Sequence, residues 1–198
     1  TDYNRAWAGD KYLNALRDNM YEDVRIMWTG NSVVDFINKS DLEWVNPRIG
    51  RKAYIWLNYP VTDYCGRHLL MGPTFGDDLD IADMVSGYTS NPMEYAEASM
   101  LSLYSIADFT WHEAAYDCNA SWERAIKYLM PTHAEAFHVF CEHNVDLGAN
   151  GHGLRRMNES VAFKAAAEAF KTAIAGGYNA KAVESMKQQF AIITNAAD

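Results

Sequence analysis

The stretch AYIWLNYP at residues 53–60 decides the fold, because it is an almost wholly apolar run that proline stops. Such a run predicts a buried strand of a parallel sheet. The period of two along a strand places Tyr54, Trp56 and Asn58 on one face, with Ile55 and Leu57 on the other. The face that ends in an indole ring and an amide is therefore a candidate lining for a pocket.

Three other short stretches end on polar or aromatic residues at regular distances from Asn58. From Tyr3 through Thr29 and Asn58 to Asn91, the intervals are 26, 29 and 33 residues. A parallel strand with its crossover helix takes about 30 residues, and a barrel of eight such units takes about 250. Because four such ends precede a helical region, the sequence predicts the second half of a TIM-type β/α barrel.

The rest of the chain carries helical signals. An apolar stripe over residues 163–174 stops at Gly176 and Gly177, and a second stripe covers residues 183–193. Two amphipathic helices joined by a glycine turn predict an antiparallel pair. The expected fold class is thus α/β plus all-α, with helix dominant overall.

The expected domain organisation has two parts. The half-barrel would occupy residues 1–115, and a helical bundle would occupy residues 116–198. No polar linker separates the two parts, so we expect them to pack on each other.

Composition excludes several classes of function. The chain has 198 residues, a net charge of −9 and an apolar fraction of 49%, which suits a globular protein and disfavours nucleic acid or an anionic membrane as partner. No apolar run approaches the roughly 20 residues of a transmembrane helix, and no signal segment opens the sequence. The cysteines Cys65, Cys118 and Cys141 are spaced unlike a disulfide framework or a zinc site.

Two patterns suggest catalytic or metal chemistry, but their context argues against it. Asp77 and Asp78 are neighbouring carboxylates within a turn-like segment, which predicts a solvated loop. His133, His138 and His143 recur every five residues, an interval that turns a helical side chain by about 140° and so separates potential ligands. We therefore expect no metal and no cofactor.

The remaining candidates gather at the predicted strand ends, where a barrel holds its ligand. An aromatic wall with amide and carboxylate partners is a common way to bind a sugar. Two roles are possible for these residues: they bind a sugar or other polyol, or they simply cap the strands. The set comprises Tyr3, Thr29, Trp56, Asn58, Asp63 and Asn91.

At these residues the chain resembles glycoside hydrolase family 84, the bacterial O-GlcNAcases and hyaluronidase-like β-N-acetylglucosaminidases. The resemblance covers nearly the whole chain. Its most specific segments are TDYN at 1–4, IMWTG at 26–30, YIWLNYPVTDY at 54–64 and SNPME at 90–94. Further on, DLG at 146–148 and NGHG at 150–153 are similar to a loop of the helical domain that follows the barrel in bacterial members.

The resemblance implies a retaining hydrolase of β-linked N-acetylglucosamine that acts by substrate-assisted catalysis. In this mechanism the acetamido carbonyl of the sugar attacks the anomeric carbon and forms an oxazoline. By similarity, Tyr3, Thr29 and Trp56 would surround the acetamido group, and Val33 would lie toward the leaving group. The residues expected to bind sugar hydroxyls are Asn58, Asp63 and Asn91.

The resemblance also implies an incomplete active site. The two adjacent aspartates of the family precede the Thr1 segment in the barrel, so no catalytic residue is expected here, and Asp77-Asp78 does not take their place. We expect the chain to be inactive alone. Its partner could be the remaining half of the barrel, or a second copy, at the open sheet edge. The alternative is a non-catalytic helical interaction or sugar-binding module. The localisation of this chain stays open, and the full-length parent enzyme that the resemblance implies would be bacterial, periplasmic or secreted.

Overall fold

A computed structural model describes residues 10–65, 68–148 and 155–197. Helix dominates these residues, and a small sheet lies in the first half of the chain. The strands are β1 (Met27–Trp28), β2 (Ala53–Leu57) and β3 (Val85–Ser90). The helices are α1 (Asp10–Asn19), α2 (Lys39–Ile49), α3 (Ala96–His112), α4 (Cys118–Leu129), α5 (Ala134–Glu142), α6 (Val161–Ile174) and α7 (Ala180–Ala197).

The three strands form one parallel sheet in the order β1-β2-β3. Ile55 in the central strand pairs with Trp28 on one side and with Tyr88 on the other. This arrangement confirms the parallel strands predicted to end at Thr29, Asn58 and Asn91. The fourth predicted end, at Tyr3, lies outside the described residues.

The connections between the strands differ from the expected repeat of one strand followed by one crossover helix. Helix α2 joins β1 to β2 and ends at Gly50, whose φ of 68° is the left-handed conformation that favours glycine. The connection from β2 to β3 instead contains two short 3-10 turns, Asp63–Cys65 and Ala82–Met84, and no α-helix in its described part. Pro60 and Pro73 in this connection lack the N–H that a helical hydrogen bond needs, and three glycines lower its helix propensity.

One face of β2 supplies the centre of the core. Ile55 and Leu57 are buried there together with Leu42 and Val45 of α2. The opposite face carries Trp56, which is 37% exposed. The alternation predicted from the sequence is therefore present, with one buried face and one more open face.

A polar bracket fixes α2 against the sheet. The Asn46 side chain accepts a hydrogen bond from the Ala53 amide at 2.9 Å and donates one to the Met84 carbonyl at 2.7 Å. One helical side chain thus joins the start of β2 to the turn that precedes β3.

The helical part has a second apolar cluster, in which Leu101 of α3 packs with Ile126 of α4 and Cys141 of α5. Helices α6 and α7 pack on each other, and the Phe163 and Phe190 rings meet edge to face at 5.4 Å. Gly177 lies between these helices with a φ of 123°. The predicted helix pair with a glycine turn is therefore confirmed.

Candidate functional site

The candidate site begins at the carboxyl ends of the three strands. Thr29 follows β1 directly, Asn58 follows β2, and Asn91 follows β3. The strands are parallel, so these ends lie at the same edge of the sheet. The Asn91 amide extends the pairing by donating to the Leu57 carbonyl at 2.8 Å, which holds Asn91 beside Asn58.

Asn58 is the centre of a hydrogen-bond network that joins three chain segments. Its Oδ1 accepts from the Trp56 indole Nε1 at 2.8 Å and from Asn91 Nδ2 at 3.1 Å. Its Nδ2 donates to the Val33 carbonyl at 2.6 Å. Within the described part of the chain, these contacts leave one N–H of Asn58 and the side-chain oxygen of Asn91 available for a ligand.

Trp56 and Val33 give the network apolar surfaces beside polar groups. The Trp56 side chain stands on the open face of β2, and the hydrogen bond to Asn58 fixes its indole ring. Val33 is 61% exposed while its carbonyl accepts from Asn58. An indole face next to amide groups suits the mixed apolar and hydroxyl surface of a sugar.

Thr29 lies in a compact loop, residues 29–38, which also carries Val33. Thr29 Oγ1 donates to the Ser32 carbonyl at 3.1 Å. The Ser32 amide donates to Asp35 Oδ2 at 3.1 Å. Gly30 has a φ of 100°, and a Cβ there would stand 2.7 Å from the Asp35 Cβ. The loop is therefore tightly folded on itself.

Asp63 and Tyr3 are not joined to this network in the described residues. Asp63 lies exposed on the 3-10 turn after Pro60, where the part of the chain that the structure covers offers its carboxylate no hydrogen bond to Asn58. Tyr3 lies outside the described residues. The structure thus brings together four of the predicted site residues, namely Val33, Trp56, Asn58 and Asn91. Thr29 lies in the loop beside them, and Asp63 lies apart.

The expectation that Asp77 and Asp78 lie in a solvated loop is wrong for Asp77. The Asp77 side chain is buried, forms an ion pair with Arg155, and accepts the Ile37 amide at 2.9 Å. Asp78 Oδ2 accepts the Lys39 amide at 2.8 Å, at the start of α2. The turn composition is as predicted, but the Asp77 carboxylate binds the Ile37 amide instead of facing water, whereas the Asp78 contact with the Lys39 amide is exposed.

Arg155 is the residue that sequence reasoning missed. Its guanidinium is fully buried and donates through Nε to the Asp35 carbonyl at 2.9 Å. Nη1 donates to the Phe75 carbonyl at 2.7 Å and to Thr74 Oγ1 at 3.3 Å, and Nη2 pairs with Asp77. Burial raises the pKa of the Asp77 carboxyl, and the positive charge of Arg155 opposes that rise.

No local pattern identifies Arg155 in the sequence. The next residue, Arg156, has the same side chain but is half exposed and pairs with Asp146 at 2.7 Å. Only the contacts of Arg155 with residues 35 and 74–77, which are far away in the sequence, distinguish the two.

The expected absence of a metal stays a prediction, and His138 and His143 have different partners in the described residues. Within those residues, no group of three or more potential ligands is arranged to hold a metal ion. His138 faces Glu123 at 3.4 Å, whereas His143 Nδ1 meets Ser160 Oγ at 2.5 Å. No helix in the described ranges has the length and apolar character needed to cross a membrane.

Comparison with known proteins identifies the family to which this chain belongs. The family model of the beta-N-acetylglucosaminidases, NAGidase, matches residues 1–142. Since this match covers most of the chain, the chain belongs to the beta-N-acetylglucosaminidase family. It is also 28% identical over 104 residues to the Protein O-GlcNAcase of Rattus norvegicus, a match that covers 52% of this chain and 11% of the rat protein. The Mus musculus Protein O-GlcNAcase matches equally well.

Solved structures extend the similarity to the helical part. The structure of CpGH84D superposes with a TM-score of 0.84 and 30% identity, covering 98% of this chain and 33% of that chain. A mutant of the Thermobaculum terrenum O-GlcNAc hydrolase gives a TM-score of 0.81 at 23% identity, which shows a shared fold, and covers 94% of this chain and 40% of that one. The chain therefore has the fold of part of a family 84 barrel enzyme with its following helices.

Proposed function

We propose that this chain carries one part of the N-acetylglucosamine pocket of a retaining β-N-acetylglucosaminidase that acts by substrate-assisted catalysis. Membership of the family supports the substrate class. The observation that carries the proposal is the Asn58 network, which gathers Trp56, Asn91 and Val33 at the strand ends. Active sites of β/α barrels lie at this end of the strands.

The proposed roles follow the resemblance to family 84. Trp56 and Thr29, with Tyr3, would surround the acetamido group and hold its carbonyl near the anomeric carbon. Such positioning is a large part of the rate gain in intramolecular reactions. Val33 would lie on the leaving-group side, where it is exposed. The hydroxyl-binding residues would be Asn58, Asp63 and Asn91.

We further propose that the proton-transferring carboxylates lie outside this chain. Asp77 is unsuited to the role because its side chain is buried and engaged by Arg155 and the Ile37 amide. General acid–base assistance typically contributes about 10²- to 10⁴-fold in rate. The chain alone should therefore show no useful turnover.

The partner that completes the pocket would be the other half of the barrel. In the described residues, β1 and β3 are the outer strands of the sheet, so each has one side without a strand partner. Such edges favour pairing with another strand. The other half of the barrel would pair there, and a second copy of the chain is the competing occupant.

One observation favours the alternative function of a helical interaction module. A groove of about 400 Å³ between α3, α4 and α5 is lined mainly by apolar side chains, among which Met100, Met130 and Phe140 are exposed. Exposed apolar patches of this kind often mark protein interaction sites. This function would not involve the Asn58 network.

The experiment measures release of the aryl group from an aryl N-acetyl-β-glucosaminide. The chain is assayed alone and after mixing with a separately expressed N-terminal half of a family 84 barrel. We expect no turnover by the chain alone and turnover by the mixture. Turnover by the chain alone would show that its own residues supply the acid and base. Inactivity of a mixture in which both halves are folded and associated would count against the pocket.

A further inference from the structure

Arg155 links the helical part of the chain to the loop that carries two proposed pocket residues. It lies in the α5–α6 connection, yet its side chain reaches the Asp35 carbonyl in the loop of residues 29–38. Four of its five N–H groups are engaged, by Asp35, Thr74, Phe75 and Asp77. The guanidinium also lies over the Phe36 ring, 5.1 Å from its centroid.

The same contacts hold two segments against each other. Arg155 binds carbonyls of Asp35 and Phe75, and Asp77 bridges from Arg155 to the Ile37 amide at 2.9 Å. A guanidinium fixes several acceptors at once because its donors form a rigid planar fork. The far end of the 29–38 loop is therefore anchored to the segment that follows β2.

Anchoring one end of this loop also fixes the other, because the loop is cross-linked internally. Asp35 Oδ2 accepts the Ser32 amide at 3.1 Å, and Ser32 Oγ donates to the Val34 carbonyl at 2.7 Å. Val33 then presents its carbonyl to Asn58 Nδ2 at 2.6 Å. A continuous series of contacts thus runs from Arg155 to Asn58.

We propose that Arg155 is a positioning residue for the sugar pocket: it fixes the 29–38 loop, and through the Val33 carbonyl it sets the orientation of the Asn58 side chain. Arg155 touches neither the sugar nor the reacting atoms in this scheme. The proposal rests on the proposed function for the identity of the ligand, but its effect on the loop is independent of that ligand.

The exchange test uses the whole chain and four proteins: wild type, Arg155→Gln, the control Arg156→Gln, and the double variant Arg155→Gln with Asp77→Asn. Arg156 is the matched control because it is an adjacent, half-exposed arginine whose partner, Asp146, lies outside the 29–38 loop and the 74–77 segment. The double variant removes both buried charges, so it separates loss of the clamp from the penalty of an unpaired buried carboxylate.

Hydrogen–deuterium exchange, read by mass spectrometry over residues 30–38, reports the Ser32 and Ile37 amides directly. We expect exchange there to quicken at least tenfold in both Arg155 variants and to stay at the wild-type rate in Arg156→Gln. Helices α6 and α7 serve as an internal reference for global opening. Wild-type exchange of residues 30–38 in a folded double variant would overturn the proposal.

The second readout is the affinity for a thiazoline derivative of N-acetylglucosamine, which mimics the oxazoline. We expect the dissociation constant to rise about tenfold in the double variant even though its melting temperature recovers toward wild type. An affinity that recovers together with stability would overturn the positioning role. If wild type binds no thiazoline even when mixed with the N-terminal half of a family 84 barrel, the proposed function fails, and the exchange data alone decide whether Arg155 fixes the loop.

Discussion

Asn58→Ala is the substitution that should most clearly disturb the pocket while leaving the fold intact. It removes the hydrogen bonds to Trp56 Nε1, to Asn91 Nδ2 and to the Val33 carbonyl. Each such bond has a net value of about 0.5–1.5 kcal/mol. Water can reach Trp56 and Asn58, so the released groups are resolvated and the low end of that range applies. The expected loss is about 1.5 kcal/mol for the three bonds together.

Thermal unfolding gives the magnitude, and an NMR spectrum gives the location. For a domain of this size, 1 kcal/mol shifts the midpoint by about 2–4 °C, so we expect a fall of roughly 3–6 °C. The Trp56 indole N–H resonance, assigned by its disappearance in Trp56→Phe, should move in Asn58→Ala. Asn19→Ala is the matched control, since Asn19 makes one local bond to the Ala15 carbonyl at 2.8 Å. An unchanged midpoint with an unmoved Trp56 resonance would refute the network as an organising element.

Three further predictions concern the framework of the site. Asn46→Ala should lower the free energy of unfolding by about 2–4 kcal/mol in urea titrations, because it leaves the Ala53 amide and the Met84 carbonyl without their partner; an unchanged urea midpoint would contradict the bracket. Gly76→Ala should destabilise the chain in the same assay, since its Cβ would stand 2.2 Å from the Phe36 ring at a φ of 87°; wild-type stability would contradict this. Burial raises the pKa of the Cys141 thiol to about 12, so folded Cys141 should resist iodoacetamide at pH 9. The free energy of unfolding should fall as the pH rises above 9, because the thiol of the unfolded chain, with its ordinary pKa of 9.0, ionises first. Rapid alkylation of folded Cys141 would contradict that burial.

The sheet and the helix pair could be predicted because their signals are local. The alternation in β2 and the punctuation by Pro60 identify a strand, and the stripes of α6 and α7 have helical spacing. The strand ends then place Thr29, Asn58 and Asn91 at one edge. The domain boundary between residues 115 and 116 stays a prediction.

The long-range polar contacts could not be predicted from local patterns. Arg155 binds the carbonyl of Asp35 from 120 positions away, and this pairing has no sequence signature. The prediction for Asp77 is wrong for the same reason: its turn composition is that of a solvated loop, and the buried cation that partners it is distant in the sequence. Asp63 lies exposed on the 3-10 turn after Pro60, and its predicted contact with a sugar hydroxyl stays a prediction.

The most direct test of the sugar pocket is an NMR titration of the chain with the thiazoline derivative of N-acetylglucosamine. This measurement detects weak binding and locates it by residue. The account predicts that the shifts concentrate on the Trp56 indole and on the side-chain amides of Asn58 and Asn91, and that Asn58→Ala abolishes them. Saturating ligand without shifts at these groups, or with shifts confined to the groove between α3, α4 and α5, would contradict it.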